Sequence, residues 1–589
     1  MSATSTDGTL ETDYDNHPVY AILVLPENPL PGEPFRVVST GGKSILSEKI
    51  EVRGGAGTLK SVQSKTGDCI PYWRLDNFAG APAGKYKAII SDGNKVAAVR
   101  EFEIQQSGPN SQLSVSRKSD KGWDSGMEAI YSAWINALFQ GFGEDASWPA
   151  LHEVTRNKNQ NFLYNCLSLG EDDPNSRNSL IMQPDCADNP FFLRAYFAWK
   201  IGLPMAYHIC DRGYVGHNPR AGEWITYGIN VPKNNRVSDF NAFLRRMKDG
   251  VQSGTARTGL DDQNSDYYPV SLRRESLRPG VVFADPYGHT LIIVGWIRQT
   301  KEHPGLLLSV DAQPDGTVGI KRFWKGNFLF NTTEVVGEPG FKAFRPISLE
   351  NGAPRLMQNK DLTDSEGFIP FSLEQKKMKS DLFYHTMERL INPRPLDPED
   401  ALLDLIKALH EQLQVRITSV ANGEEYFNLH PGAVIPMPSG AAAIFQSGGQ
   451  WEDFSTPNRD LRLLIAMDAV SGFPDLVAAN PGDFNISGLS SAEHIRKKLE
   501  SILDKKSNEL SITYTGSDGS SQKLTIGEIL KRREAFEMAY NPNDGPEIRW
   551  GAPEKSEERN RCRRHVSASQ LEKMQAVRKW FSKRLHPPT

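Results

Sequence analysis

The sequence predicts an α+β domain, preceded by an all-β module and followed by a mainly helical region. Three observations carry that reading. Short alternating apolar runs broken by turn residues fill the N-terminal hundred residues. Helical periodicity then gives way to strand-like runs with tight turns, an α+β order. Beyond about Pro370 apolar residues recur at three- and four-residue intervals. The expected boundaries are a disordered tail at 1–16, a β-sandwich at 17–106, a linker at 107–121, the α+β domain at 122–350 and the helical region at 351–589. A chain of 589 residues has room for cores of that number and size.

Each element follows from its residues. Val19–Val24, Phe35–Val38 and Tyr86–Ile90 read as strands, separated by Pro-Gly and Gly-Gly punctuation. Ser107 to Lys121 is rich in Ser, Gly, Asn and Lys, which suits a linker. Met127–Phe139 and Leu151–Leu167 carry helical spacing, and the stretch from Gly280 to Phe344 returns to strands. Helices are expected at Gln375–Ile391, Pro398–Leu413, Arg459–Val470 and Ala492–Leu503, with a hairpin turning at Gly516-Ser-Asp-Gly519.

Composition narrows the function. Basic residues number 68 and acidic residues 72, a net charge of −4, so a globally basic nucleic-acid binder is excluded. No apolar run reaches the roughly 18 residues needed to span a bilayer. Residues 559–584 are strongly basic on a helical pattern, which reads as a solvated face first and an anionic-surface contact second. The N-terminal stretch lacks the basic start and apolar run of a secretory signal, so the cytoplasm is the default expectation. Five scattered cysteines do not suit a disulfide framework.

Familiar catalytic signatures are absent: there is no phosphate loop and no GxSxG elbow, and His152-Glu153 and His410-Glu411 both lack the second histidine of HExxH. The acidic run Asp261–Asp266 lacks the glycine and distal glutamate of a calcium loop. His208, Cys210 and His217 supply only three ligands at a spacing that matches no common zinc site. No metal and no organic cofactor is expected.

Cysteine and histidine chemistry remains. Cys186 precedes a helical run, Phe191–Lys200, that stops at Gly202-Leu-Pro204. A thiol at a helix start meets free backbone N–H groups that favour its thiolate. Asp285-Pro-Tyr-Gly288 is a tight turn delivering His289 to the first position of an apolar strand. Leu306–Val310 is a second apolar strand, ending in Asp311. If the two strands form one hairpin centred near Thr300, His289 faces Asp311, at the separation a carboxylate–imidazole hydrogen bond needs. Cys186 is then the nucleophile, His289 the base and Asp311 the orienting group. Gln183 is the nearest side-chain candidate for an oxyanion donor, with Asn178 behind it. Trp324 and Phe328 are the candidates for a substrate wall.

The order of a cysteine at a helix start, a histidine on a strand and an aspartate on the next strand resembles the papain-like cysteine peptidase superfamily. Asp185-Cys186, Arg278-Pro-Gly280 and Gly288-His289 resemble the NlpC-type cell-wall peptidases. Cys186-Ala-Asp188, Gly202-Leu-Pro204 and the acidic third member are similar to transglutaminase-like proteins. Ala187-Asp188 stands where NlpC-type enzymes have a small residue and Gly, and Thr290-Leu291 where transglutaminases favour a nearby aromatic. Pro82-Ala-Gly-Lys-Tyr86 resembles the turn into a late strand of bacterial immunoglobulin-like domains. The resemblance implies thiol-based hydrolysis of an amide in a peptide or peptidoglycan-like substrate. Transglutaminase-like acyl transfer and a non-catalytic scaffold role are the alternatives. The immunoglobulin-like module points towards export, against the missing signal.

Overall fold

The structure, a computed structural model, describes residues 13–55, 57–105, 122–214, 216–227, 237–301, 303–333, 335–446, 448–486 and 491–587. The expected linker and residues 1–12 of the expected tail lie outside the described residues. The chain is mixed α/β with several antiparallel sheets, and it divides into two compact units. The first comprises 1–297, 307–322 and 337–390; the second comprises 298–306, 323–336 and 391–589. The boundary therefore falls near 390 rather than 350, and two segments from the strand region belong to the second unit.

The first unit opens with eight strands: β1 (Ala21–Leu25), β2 (Phe35–Gly41), β3 (Glu51–Gly54), β4 (Gly57–Leu59), β5 (Gln63–Gly67), β6 (Tyr72–Phe78), β7 (Gly84–Asp92) and β8 (Lys95–Ile104). They form two four-stranded antiparallel sheets, β1-β2-β6-β5 and β4-β3-β7-β8. Phe35, Val37, Tyr72, Phe78, Tyr86, Ala88 and Phe102 from both sheets share one hydrophobic cluster. Alternation along β7 explains the shared core, since Tyr86, Ala88 and Ile90 point inward while Lys85 and Lys87 point out. The expected tail is corrected at its end. Asp13–Asn16 form a helical turn, and Tyr14 is buried in this cluster with its phenol pushed up to about 12 by burial.

The same unit then builds a helix layer, with α1 at Ser125–Phe139, α2 at Asp188–Ile201 and α3 at Val237–Gly250. Its strands are β9 (Ser147–Trp148), the pair β10 (Met205–Cys210) and β11 (Ala221–Tyr227), β12 (Tyr267–Pro269), β13 (Val282–Ala284), β14 (Thr290–Ile297), β15 (Leu306–Ala312), β16 (Val318–Arg322) and β17 (Gly340–Phe344). Seven of them form one sheet in the order β12-β17-β13-β14-β15-β16-β9. The helix expected over Leu151–Leu167 is corrected. It ends at Thr155, and Asn165 and Ser168 adopt left-handed backbone that a helix cannot contain. Asn161 holds the resulting loop, accepting from the Trp134 indole and donating to Thr155 O and Tyr196 Oη.

Helix α2 is buried on every face from Asp188 to Lys200. Such a helix must satisfy its own polar side chains. Arg194 stacks on the Trp123 ring, 3.1 Å from its centroid, and pairs with Glu128. Lys200, with a fully buried side chain, donates to Glu171 and Asp172. Gly202 closes the helix at φ +79°, its N–H returning to Ala198 O.

The second unit is mainly helical. Its long helices are α4 (Pro398–Leu429), α5 (Pro457–Ala479), α6 (Ala492–Glu509) and α7 (Ala568–Lys583). Leu402, Leu409, Leu464, Met467, Leu499, Trp550 and Phe581 belong to its core. The expected hairpin is present at Ser511–Thr515 and Ser521–Thr525, closed by Gly516 N–H donating to Ser520 O at 2.8 Å. Trp324 and Phe328 are corrected as wall candidates. Trp324 packs in this apolar core and Phe328 is wholly buried, so neither ring offers a surface to a substrate. Among the described residues no helix is long and apolar enough to cross a membrane.

Candidate functional site

The site starts at the tip of α2. Asp185 caps it, its Oδ1 accepting from the N–H of Ala187 at 2.8 Å and of Asp188 at 3.1 Å, while its backbone carbonyl accepts from Asn189. Cys186 therefore stands in the first turn, where the aligned peptide dipoles favour negative charge. The cap uses the next three N–H groups, and among the described residues no acceptor is recorded for the Cys186 N–H. Of the five cysteines, four are buried and Cys186 alone is partly exposed. Burial pushes the thiol of Cys210 up to about 12 and raises that of Cys562, which makes both poor nucleophiles.

The histidine arrives on a hairpin. β13 and β14 pair with Ala284 opposite Thr290, and the four residues between them and His289 make the turn. Asp285 holds it, donating its N–H to His289 O at 2.8 Å and accepting the Tyr287 N–H on its carboxylate. Gly288 takes φ +99°, a conformation that favours glycine, and a Cβ there would also crowd the Ser253 hydroxyl at 3.1 Å. The Cys186 Sγ lies 3.9 Å from the Gly288 carbonyl oxygen. By standard backbone dimensions the Cα of His289 is then within about 7 Å of the sulfur.

The carboxylate comes from the neighbouring strand. His289 Nε2 is 3.1 Å from Asp311 Oδ2, joining the start of β14 to the end of β15, as antiparallel neighbours would. Gln313 donates to the same oxygen at 2.8 Å, and the Lys321 ammonium is 4.0 Å from the other. The His289 side chain is 20% exposed and that of Asp311 5%, so the acid is sheltered while the ring is reachable. With Nε2 at the carboxylate, Nδ1 is the nitrogen that can exchange a proton with a thiol.

Sequence reasoning missed three groups. Arg257 is buried beside the turn, its guanidinium donating to Pro286 O at 3.1 Å and to Ser253 O at 3.2 Å. Burial pushes Arg257 down from its ordinary range, while the charges of Asp285 and of a Cys186 thiolate pull it back up. It gave no local signal, because only folding brings residue 257 to residue 286. Asp188 is wholly buried two residues past the cysteine, and burial, then the Asp185 charge, push its carboxyl up to about 8. Gln313 had a signal in the Asp311-Ala-Gln313 spacing, since alternate strand residues share a face.

Other expected residues lie elsewhere. The Gln183 side chain is exposed and packs where a Gly316 Cβ would lie, while its backbone carbonyl accepts from Lys248 at 2.8 Å. Asn178 is exposed and donates to Leu169 O. His208 is tied to Asp266 at 2.7 Å, and His217 pairs with Tyr214 through the backbone. Among the described residues no group of three or more His, Cys, Asp or Glu is arranged to hold a metal ion.

Compared with protein-family models, curated proteins and solved structures, the chain matches none.

Proposed function

We propose that the first unit is a papain-like cysteine hydrolase cleaving an amide bond, with an immunoglobulin-like module at its N-terminus. The observation that carries this reading is the hydrogen-bonded His289–Asp311 pair, with the one partly exposed thiol at the backbone of the residue before the histidine. A helix that carries the nucleophile and a sheet that carries base and acid is the papain-like division of labour.

Each residue then has a task. Cys186 gives its proton to His289, and the sulfur attacks the amide carbon, forming a C–S bond while the carbonyl π electrons move to oxygen. The oxyanion meets the Cys186 N–H at the tip of α2. His289 returns the proton to the leaving nitrogen as the C–N bond breaks, leaving a thioester and a free amine. It next takes a proton from water, whose oxygen replaces sulfur and releases the acid. Asp311 holds the ring and stabilises its charged form. The substrate is a peptide or a peptidoglycan-like amide.

The test is mass spectrometry of peptides and cell-wall fragments incubated with the full chain and with C186A. New amine and carboxyl ends made only by the wild type support hydrolysis; unchanged substrates across both classes count against it. A second reading, acyl transfer to an amine, is favoured by the partly exposed carboxyl group of Asp185 beside the thiol, which suits a cationic acceptor. An added primary amine separates the two, because only transfer yields its adduct.

A further inference from the structure

The core of the helical unit contains two guanidinium groups and too few acceptors. Arg416 on α4 and Arg549 are 1% and 0% exposed. Arg416 spends Nε and one Nη2 proton on the two oxygens of Asp460, at 2.7 and 2.8 Å, and also donates through Nη2 to Ala539 O at 3.3 Å. Arg549 donates only through Nη2, to Phe454 O and Thr456 Oγ1. Among the described residues Arg416 Nη1 and Arg549 Nε and Nη1 have no partner, and neither do the buried Trp550 Nε1 and Tyr540 Oη. Trp550 belongs to the same centre, because its ring lies 4.7 Å from the Arg416 guanidinium carbon.

Charge makes the same point. Asp460 balances one of the two cations. Glu424 is engaged by Arg564, and the Asp544 carboxyl, raised by burial, accepts from the Val566 N–H. Burial and then the Arg416 charge push Arg549 down to about 10, still far above neutrality, so its guanidinium stays charged. An unbalanced buried cation with orphaned N–H groups is costly. The sequence also keeps a flank clear, since a Cβ on mid-helix Gly423 would lie 3.2 Å from Arg549 Nη1, and glycine is otherwise disfavoured there.

We propose that this centre binds a halide-sized inorganic anion between Arg416 and Arg549. Water is the weaker match. A water molecule brings two protons that need acceptors, whereas of the orphaned groups just named the Tyr540 hydroxyl alone can accept one. An anion accepts from the guanidinium N–H groups and neutralises the surplus charge. The full burial of both arginines limits the occupant to a small ion rather than an extended phosphate ester.

Bromide is the probe. Crystals of the full chain grown in sodium bromide should show an anomalous peak within hydrogen-bonding reach of Arg416 Nη1 and Arg549 Nη1. In solution, melting is compared in sodium bromide and sodium gluconate at equal ionic strength. Once bromide exceeds its dissociation constant, each further tenfold rise should raise the folding equilibrium constant about tenfold. R549M should lose that response. Because R549M removes a core side chain, G423A is the companion variant; it keeps both cations, crowds Nη1 and should need more bromide for the same gain. Water alone at the centre in bromide crystals, melting curves that ignore the anion, or a G423A response equal to wild type would overturn the proposal.

Discussion

His289 Nε2 lies 3.1 Å from Asp311 Oδ2, and the two residues come from adjacent strands that meet start to end. The pairing fixes which ring nitrogen faces the acid. For the proposed hydrolase it also sets an order of importance, in which the base acts on the reacting atoms and the acid acts through the base. H289A should therefore reduce amide turnover by about 10²–10⁴-fold. D311A should cause a smaller loss, with kcat falling more than KM rises. Steady-state kinetics of the two variants against wild type check the ranking, and equal activity in all three contradicts it.

Thiol reactivity gives a test independent of substrate. Cys186 is partly exposed at a helix start, and the other four cysteines are buried. Brief alkylation with iodoacetamide under native conditions, read by peptide mass spectrometry, should modify Cys186 well before Cys69, Cys166, Cys210 or Cys562. Uniform labelling would identify an inert domain.

Arg257 predicts a charge effect. Its guanidinium holds the carbonyl of Pro286, and its own charged form is favoured by a Cys186 thiolate. R257Q should slow alkylation of Cys186 at pH 7, and R257K should recover part of the rate. The deficit should shrink above about pH 9, where a cysteine thiol ionises unaided. A deficit of equal size at every pH would mean the arginine only holds the turn.

Asp188 predicts a pH dependence of stability. Its folded carboxyl is pushed up to about 8 from an ordinary value of 3.8, by burial and then by Asp185, against a lowering from Lys248. The folded chain thus binds a proton that the unfolded chain has lost, so stability falls as pH rises from about 4 through about 8. D188N should flatten that fall. Each ~1 kcal/mol involved moves the midpoint of a domain this size by about 2–4 °C. Melting of D188N and wild type at pH 5 and pH 9 measures it, and parallel curves would assign the pH dependence elsewhere.

Lys200 predicts a large loss. Its ammonium is the buried partner of Glu171 and Asp172 at the far end of the helix that begins beside Cys186. K200M leaves two carboxyl groups uncompensated in the interior. It should destabilise the first unit by about 3–5 kcal/mol, read as a lower urea midpoint at unchanged slope.

How much of this was legible in the chain differs from element to element. The turn before His289 could be read because Asp285-Pro-Tyr-Gly288 is local chemistry, a backbone reversal needing a residue free of Cβ at its last position. Asp311 could be placed by register, because strands repeat every two residues. Helix α2 is buried all round although it carries Arg194 and Lys200, which look like surface residues until Glu128, Glu171 and Asp172 arrive from other segments. Trp324 and Phe328, the substrate-wall candidates, lie in a strand-rich stretch of sequence, but their segment belongs to the helical unit.

The sequence by itself determined most of the elements and the turn that presents His289, because helix starts, tight turns and strand alternation are short-range properties written in adjacent residues. The tertiary structure alone decided that Arg257 sits beside the His289 turn, that Asp188 is buried as an acid, and that Arg549 is buried close to the Arg416–Asp460 pair. Those outcomes depend on which distant charges are desolvated together, and neither spacing nor composition encodes that.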